Sequence, residues 1–292
     1  MLGVRSGKAL PLKKDFLSGK AKNKKMFQLR AKIVYNKRVK DNYFLLALDS
    51  AKIAKLAAPG QFLQIRINEG LLPLLGRPFS IHDIRGTFIE ILYEVVGEGS
   101  RILSKRKAGE FIDIIGPLGN SFSAAKVPNS GKNKRRKPVI VAGGMGVAPL
   151  FFLAKKLKQA KPAVLIGART KSQILCEKKF KESGCDVKTA TDDGSFGFRG
   201  RVTELLSDLL STIDHRPLII YACGPKPMLK EISRLALKHK IPAQVSLEAH
   251  MACGIGACLG CVVNTKEGFK RVCKEGPVFN CKDIVWQKKG AG

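Results

Sequence analysis

The chain has 292 residues, 45% of them hydrophobic, with 53 Lys and Arg against 23 Asp and Glu, a formal net charge of +30. That length and apolar content can fill more than one core, which excludes a disordered polyelectrolyte. No apolar run reaches the roughly 20 residues of a membrane span; the longest, Val139 to Ala154, is broken by three glycines and a proline. The positive charge is concentrated in residues 1 to 25, with eight Lys/Arg against Asp15 alone, and in KNKRRK, residues 132 to 137. Neither stretch has interleaved aromatics, helix-turn-helix or zinc-finger spacing, so both read as solvated appendages and no nucleic-acid partner is expected. The N-terminus has no apolar signal core, which points to the cytoplasm, where clustered cysteines read as metal ligands and not as disulfides.

After a basic tail (1–26), short β-rich runs follow one another: FQLRAKIVY, NYFLLALD, QFLQIRI, PFSIHDI, FIEILYEVV and EFIDII. Separated by turn residues, they predict a small antiparallel β-barrel over 27–130, a form that closes its own edges. The period then changes. PVIVAGG, AVLIGAR, CDVKTATDD, PLIIYACG and AQVSLE read as strands, with helical runs between them. In PLFFLAKKLKQA, Leu150, Leu153, Ala154 and Leu157 share one face. Five strands joined by helices predict an α/β domain with a parallel sheet over 137–245. Residues 246–285 hold most of the remaining cysteines and little periodicity, which predicts a small third domain organised by a metal centre instead of an apolar core.

Gly143-Gly144-Met145-Gly146-Val147-Ala148-Pro149 lies between the first strand of that sheet and its first helix. Glycines let the backbone approach a diphosphate, and a helix N-terminus supplies free N–H groups and partial positive charge. Thr191-Asp192-Asp193-Gly194-Ser195 and Ala222-Cys223-Gly224-Pro225 leave strand ends on the same edge, so Gly143, Gly144, Gly146, Asp192, Asp193, Gly194, Cys223, Gly224 and Pro225 are candidate dinucleotide-binding residues. The competing reading is three ordinary turns. Arg169 could accept a 2′-phosphate or simply be exposed.

In the barrel, Arg77-Pro78-Phe79-Ser80 offers a cation able to hold a phosphate through two parallel hydrogen bonds and a hydroxyl able to meet the polar edge of a flavin. By itself the stretch is a surface arginine before a strand. Its partner is Leu92-Tyr93-Glu94 followed by Gly97-Glu98-Gly99-Ser100, a strand running into a loop whose N–H groups could take a diphosphate.

Cys253-x4-Cys258-x2-Cys261 has the spacing of a plant-type [2Fe-2S] loop. Gly254, Gly256 and Gly260 are expected to supply the positive φ angles that wrapping a cluster requires. The fourth thiolate would come from Cys273 or Cys281, and the nearer one, in the turn-like RVCKEGP, is preferred. Structural zinc is the alternative, although zinc sites usually pair their cysteines as C-x2-C. Cys176 and Cys185 read as ordinary half-buried thiols.

In their order, RPFSI, GGMGVAP, TDDGS, ACGP, CGIGACLGC and RVCKEGPVF resemble the electron-transfer subunits of type B dihydroorotate dehydrogenase, a branch of the ferredoxin-NADP reductase superfamily, over residues 27 to 285. The resemblance implies FAD on Arg77, Pro78, Phe79, Ser80, Leu92, Tyr93, Glu94, Gly99 and Ser100, NAD in the crevice, and a [2Fe-2S] cluster on Cys253, Cys258, Cys261 and Cys273. Glu94 stands where the family often has a basic residue, and Ser100 where it often has Thr. The implied role is a relay in pyrimidine (UMP) biosynthesis. An FMN-containing catalytic subunit, assembled with this chain as a heterotetramer of two of each, oxidises dihydroorotate, and electrons pass through the cluster and FAD to NAD⁺. The rivals are a flavin/iron-sulfur subunit of a ferredoxin-NADP reductase or sulfur reductase and, from another class, a basic metal-binding nucleic-acid protein. Deleting residues 1 to 25 separates the last from the rest, because only it would lose its main activity.

Overall fold

The computed structural model describes residues 25–68, 70, 73–123, 136–212 and 217–286. Nearly all of the basic tail and most of the KNKRRK run lie outside them.

The first sheet contains β1 (Phe27–Lys40), β2 (Tyr43–Asp49), β3 (Phe62–Arg66), β4 (Arg77–Ser80), β5 (Asp83–Arg85), β6 (Phe88–Glu94) and β7 (Phe111–Leu118). The short helix α1 (Ala51–Ala54) follows β2, and α2 (Glu98–Lys105) follows β6. Strand order is β4-β3-β7-β1-β2-β6-β5, antiparallel throughout. Alternating residues such as Ile89 and Ile91, or Leu63 and Ile65, fill the interior, as the two-residue period of a strand requires. The run Pro78–Ile84, expected as one strand, is divided at Ile81-His82. Ile81 N–H donates to Gln61 O at 3.0 Å and His82 N–H to Glu90 O at 2.8 Å. Its first half therefore pairs beside β3 and its second beside β6, the two ends of the strand order, so this one run closes the barrel.

The second sheet is built from β8 (Lys137–Gly143), α3 (Val147–Lys156), β9 (Ala163–Ala168), α4 (Glu177–Glu182), β10 (Asp186–Thr191), β11 (Phe198–Arg199), α5 (Val202–Thr212), β12 (Leu218–Cys223), α6 (Lys226–Lys238) and β13 (Ala243–Ser246). All of these strand pairs are parallel. The five expected strands are present, and the two-residue β11 extends one edge. The C-terminal segment adds the hairpin β14 (Val262–Thr265) and β15 (Gly268–Arg271), then β16 (Val278–Asn280), which joins the sheet antiparallel to β13. The order becomes β11-β10-β9-β8-β12-β13-β16, seven strands in all. The segment is not independent of an apolar core: Cys261, Val272, Cys273, Cys281 and Ile284 belong to the same buried cluster as Val139, Ile220 and Val245.

Helix α3 is buried from Val147 to Ala154, not on one face only. It lies between the sheet and the barrel, with Phe152 in the barrel core and Phe151 in the sheet cluster. A buried polar seam joins the same two bodies. Lys155 of α3 donates to both oxygens of the buried Asp83 at 2.7 Å, and within the barrel Arg85 reaches the buried Glu90 at 3.2 Å. His82 is fully buried, its Nδ1 lies 3.0 Å from Ala148 O, and its ring stacks on Phe151 with centroids 4.9 Å apart.

Candidate cofactor and cluster sites

Strand β8 ends at Gly143, and a single 3-10 turn over Gly144–Gly146 leads into α3. A cavity of about 530 Å³ opens at the C-terminal ends of the parallel strands, where ligands of such sheets bind. Gly143, Gly144, Asp192 and Pro225 line it, together with Arg169, Gln173, Arg201, Thr203, Met228 and Glu231. Gly146 does not line it. A Cβ there would stand 2.1 Å from Cys223 O, so this glycine lets the turn press against β12. Cys223 and Gly224 do not line the cavity either; Cys223 is buried, and that burial pushes its thiol upward. Asp193 and Gly194 also stand outside the lining. Asp193 Oδ1 accepts from Ser195 Oγ at 2.6 Å and Ser195 N at 2.9 Å, bonds that hold its carboxyl below the ordinary value and shape the loop.

On the barrel, residues 98–100 are the first turn of helix α2 and not a loop. Ser100 Oγ accepts from the N–H groups of Val96 (3.0 Å) and Gly97 (3.2 Å) and donates to Gly97 O at 3.0 Å. The helix leaves its remaining first-turn N–H groups without intrahelical partners. Arg77 Nε lies 3.2 Å from the point where a Cβ on Gly99 would stand. A guanidinium is thus set against a positively polarised helix end, the chemistry of a phosphate cradle. Arg77 Nη1 meanwhile donates to Leu75 O at 2.5 Å. Pro78, Phe79 and Ser80 are half-buried along β4.

Leu92 and Tyr93 lie near the end of β6. Both side chains are buried, and Tyr93 packs between Phe44 and Phe79 with its hydroxyl donating to Asn36 Oδ1 at 3.0 Å. Their packing holds the end of β6 in place. Glu94 accepts from Asn42 Nδ2 at 2.9 Å and has no donor for a phosphate.

In the C-terminal segment the four expected thiols form two pairs. Cys258 N–H points at Cys253 Sγ across 3.5 Å, and Cys273 N–H at Cys261 Sγ across 3.4 Å. Burial would raise the Cys253 thiol, but the backbone N–H groups of Cys258, Ile255 and Ala257 outweigh it and hold the thiol at about 6. Cys273 is pushed up to about 12 by burial and by the adjoining Cys261. Crowding two thiolates carries a like-charge cost that iron between them would remove. Cys281 stands apart, buried against β13 with the Ala243 backbone beside it. Among the described residues no three His, Cys, Asp or Glu side chains converge as for a single metal ion. Two pairs of thiols suit a binuclear cluster, in which each iron takes two.

Gly254 and Gly256 adopt φ of 70° and 87°. Gly260 does not enter the left-handed region; Leu259 does, with φ of 57°. A Cβ on Gly260 would meet only Cys258 Sγ, at 3.6 Å, an ordinary contact, so neither its φ nor crowding requires a glycine there. Arg271 clasps the two ligand-bearing loops together, donating to Gly256 O at 2.8 Å and to Glu275 Oε2 at 3.0 Å.

Residues 248–285 match the iron-sulfur cluster binding domain of dihydroorotate dehydrogenase B, and residues 140–234 match the oxidoreductase NAD-binding domain. The dihydroorotate dehydrogenase B (NAD(+)) electron transfer subunit of Desulforamulus reducens is 40% identical over 272 residues, covering 90% of this chain and 99% of that one. That of Caldanaerobacter subterraneus is 37% identical over 264 residues, covering 89% and 99%. The chain belongs to this family of electron transfer subunits. A solved chain of an NADH-dependent reduced ferredoxin-NADP oxidoreductase superposes with a TM-score of 0.74 at 30% identity, covering 88% of this chain and 90% of that one. A ferredoxin NADP⁺ reductase from Neisseria gonorrhoeae, at 16% identity and TM-score 0.59 over 73% of this chain and 91% of that one, shares the fold.

The cavity also includes residues with no motif of their own in the sequence. Arg201 and Thr203 flank the start of α5, a helix whose apolar pattern is plain, but their convergence with Asp192 is a product of the sheet. Arg271 and Glu275 carried a usable signal, an (i, i+4) ion pair around Cys273. Gln64 carried none.

Proposed function

We propose that the chain is the electron relay of a dihydroorotate dehydrogenase. It binds FAD on the barrel, NAD(H) in the cavity and a [2Fe-2S] cluster on Cys253, Cys258, Cys261 and Cys273. Its partner is an FMN-containing catalytic subunit, joined in a heterotetramer of two of each, working in the cytoplasm in pyrimidine biosynthesis. One observation carries the reading: the paired-thiol loop is seated directly on the barrel strand next to Arg77–Ser80, through Gln64 Nε2 donating to Ala252 O at 3.0 Å.

When bound, the flavin exchanges a hydride with the nicotinamide and single electrons with the cluster; the protein contributes position and electrostatics. Arg77 and the N-terminus of α2 offset the diphosphate charge. Ser80 offers its hydroxyl to the polar edge of the flavin. Backbone N–H groups directed at Cys253 Sγ and Cys261 Sγ stabilise negative charge on sulfur. Gly143 and Gly144 admit the dinucleotide backbone, and Asp192 and Arg169 stand in the wall of its cavity.

The described residues contain no (β/α)₈ barrel of the kind expected to hold FMN and dihydroorotate. Those belong to the partner. Cys258 is exposed and Ile255 and Leu259 beside it are 41% and 60% exposed, so the cluster face supplies the apolar surface on which the partner docks. The test is cofactor analysis of the purified chain, which should give FAD and about two iron and two sulfide per chain. Zinc without sulfide would end the reading. The 30% identical ferredoxin-NADP oxidoreductase chain supports a second reading, in which ferredoxin is the redox partner.

A further inference from the structure

We infer that Gln64 is the positioning residue that seats the cluster loop against the flavin strand and thereby sets how fast electrons pass between flavin and cluster. The inference rests on the relay reading above.

Strand β3 alternates, with Leu63 and Ile65 fully buried in the barrel interior, so Gln64 points outward. An outward glutamine on a barrel is ordinarily solvated, yet Gln64 is 5% exposed, because residues 252–254 cover it. Its Nε2 donates to Ala252 O at 3.0 Å, a bond between residues 188 apart in the chain. Its Oε1 is buried without a hydrogen-bond partner and lies 3.0 Å from where a Cβ on Gly254 would stand. One amide therefore touches both neighbours of Cys253. A side chain at position 254 would displace it.

The other side of the same residue belongs to the flavin strand. Gln64 pairs with Pro78 in the β3–β4 ladder, and a Cβ on Gly76, next to Arg77, would meet its Nε2 and Cγ at 3.1 Å. The residue thus spans the space between the first cluster ligand and the proposed flavin motif. A buried polar group in this position is costly unless it is bonded, which favours one fixed arrangement of the loop. Groups that orient metal ligands from behind typically matter by 10 to 100-fold.

The test uses the full chain loaded with FAD and cluster, and compares it with Gln64→Met, which keeps the bulk and loses the donor, and Gln64→Glu, which keeps the shape and at neutral pH loses the donor. Three readouts are taken: the paramagnetic resonance spectrum of the reduced cluster, the rate of flavin reduction by NADH, and the subsequent rate of cluster reduction. Both variants should retain FAD and iron and reduce flavin at the wild-type rate, while cluster reduction slows about tenfold and the cluster spectrum shifts. A wild-type spectrum and transfer rate in Gln64→Met overturn the role of Gln64 while leaving the relay intact. Loss of FAD from both variants also overturns it, because the assigned role is confined to seating the loop. Absence of FAD or cluster from the wild-type chain overturns the relay and this inference together.

Discussion

The backbone N–H of Cys273 points at Cys261 Sγ across 3.4 Å, joining the turn after β15 to the end of the cluster loop. Cys281, the other candidate for the fourth ligand, follows β16 and is buried beside the Ala243 backbone of β13, with none of the other thiols among its partners in the described residues. Cys273→Ser should therefore lose the cluster, while Cys281→Ser keeps about two iron and two sulfide per chain. Metal and sulfide analysis of the two proteins decides. The reverse pattern would reassign the ligand.

Arg77 stands beside Gly99 at the start of α2 and has no carboxylate partner among the ion pairs of the described residues. Its replacement by Ala should weaken FAD binding by about 1.5 to 3 kcal/mol, the range for a hydrogen bond to a charged group. Arg77→Lys should fall between, since an ammonium retains charge without the planar fork. Fluorescence titration of the apoprotein with FAD measures both, and an unchanged affinity in Arg77→Ala would remove it from the site.

Burial, with Lys179 on α4 adding to it, lowers His82 from 6.5 to about 4; the Ala148 carbonyl and Asp83 oppose the shift without reversing it. A depressed folded-state value means that the unfolded chain takes up the proton first as pH falls. The contribution of neutral His82 is therefore complete above pH 6.5 and is lost progressively toward pH 4. Between pH 7.5 and 5 it amounts to about 2 kcal/mol. His82→Phe, which keeps a ring to stack on Phe151, should show a shallower loss of stability over that interval in urea titrations. Parallel curves for the two proteins would contradict this.

The alternation of Ile89 with Ile91, the glycine turn after β8 and the Cys253-x4-Cys258-x2-Cys261 spacing were all legible, because each expresses a local rule of backbone or ligand geometry. Less was visible where two bodies meet. Apolar periodicity reports that a face is buried and not what buries it, so α3 read as one-sided although barrel and sheet cover it on both sides. Likewise His82, Asp83 and Glu90 have the polar character of a solvated strand face, but they point into the seam toward α3 and α4. The break at Ile81-His82 has no local signature, since nothing in PFSIHDI marks a change of partner strand. Gln64 has the local pattern of any outward polar residue of β3, and only the tertiary contact with residues 252–254 buries it. Tyr93 falls on the same side of β6 as Ile89 and Ile91, in the barrel core, a packing that the two-residue period of the strand implies.

The most direct test of the relay is a reconstitution assay. The purified chain alone should oxidise NADH with an artificial acceptor and fail to oxidise dihydroorotate. Adding the cognate FMN-containing subunit should produce NAD⁺ reduction that depends on dihydroorotate. Robust dihydroorotate oxidation by this chain alone, or coupling to reduced ferredoxin and not to the FMN subunit, would contradict the account.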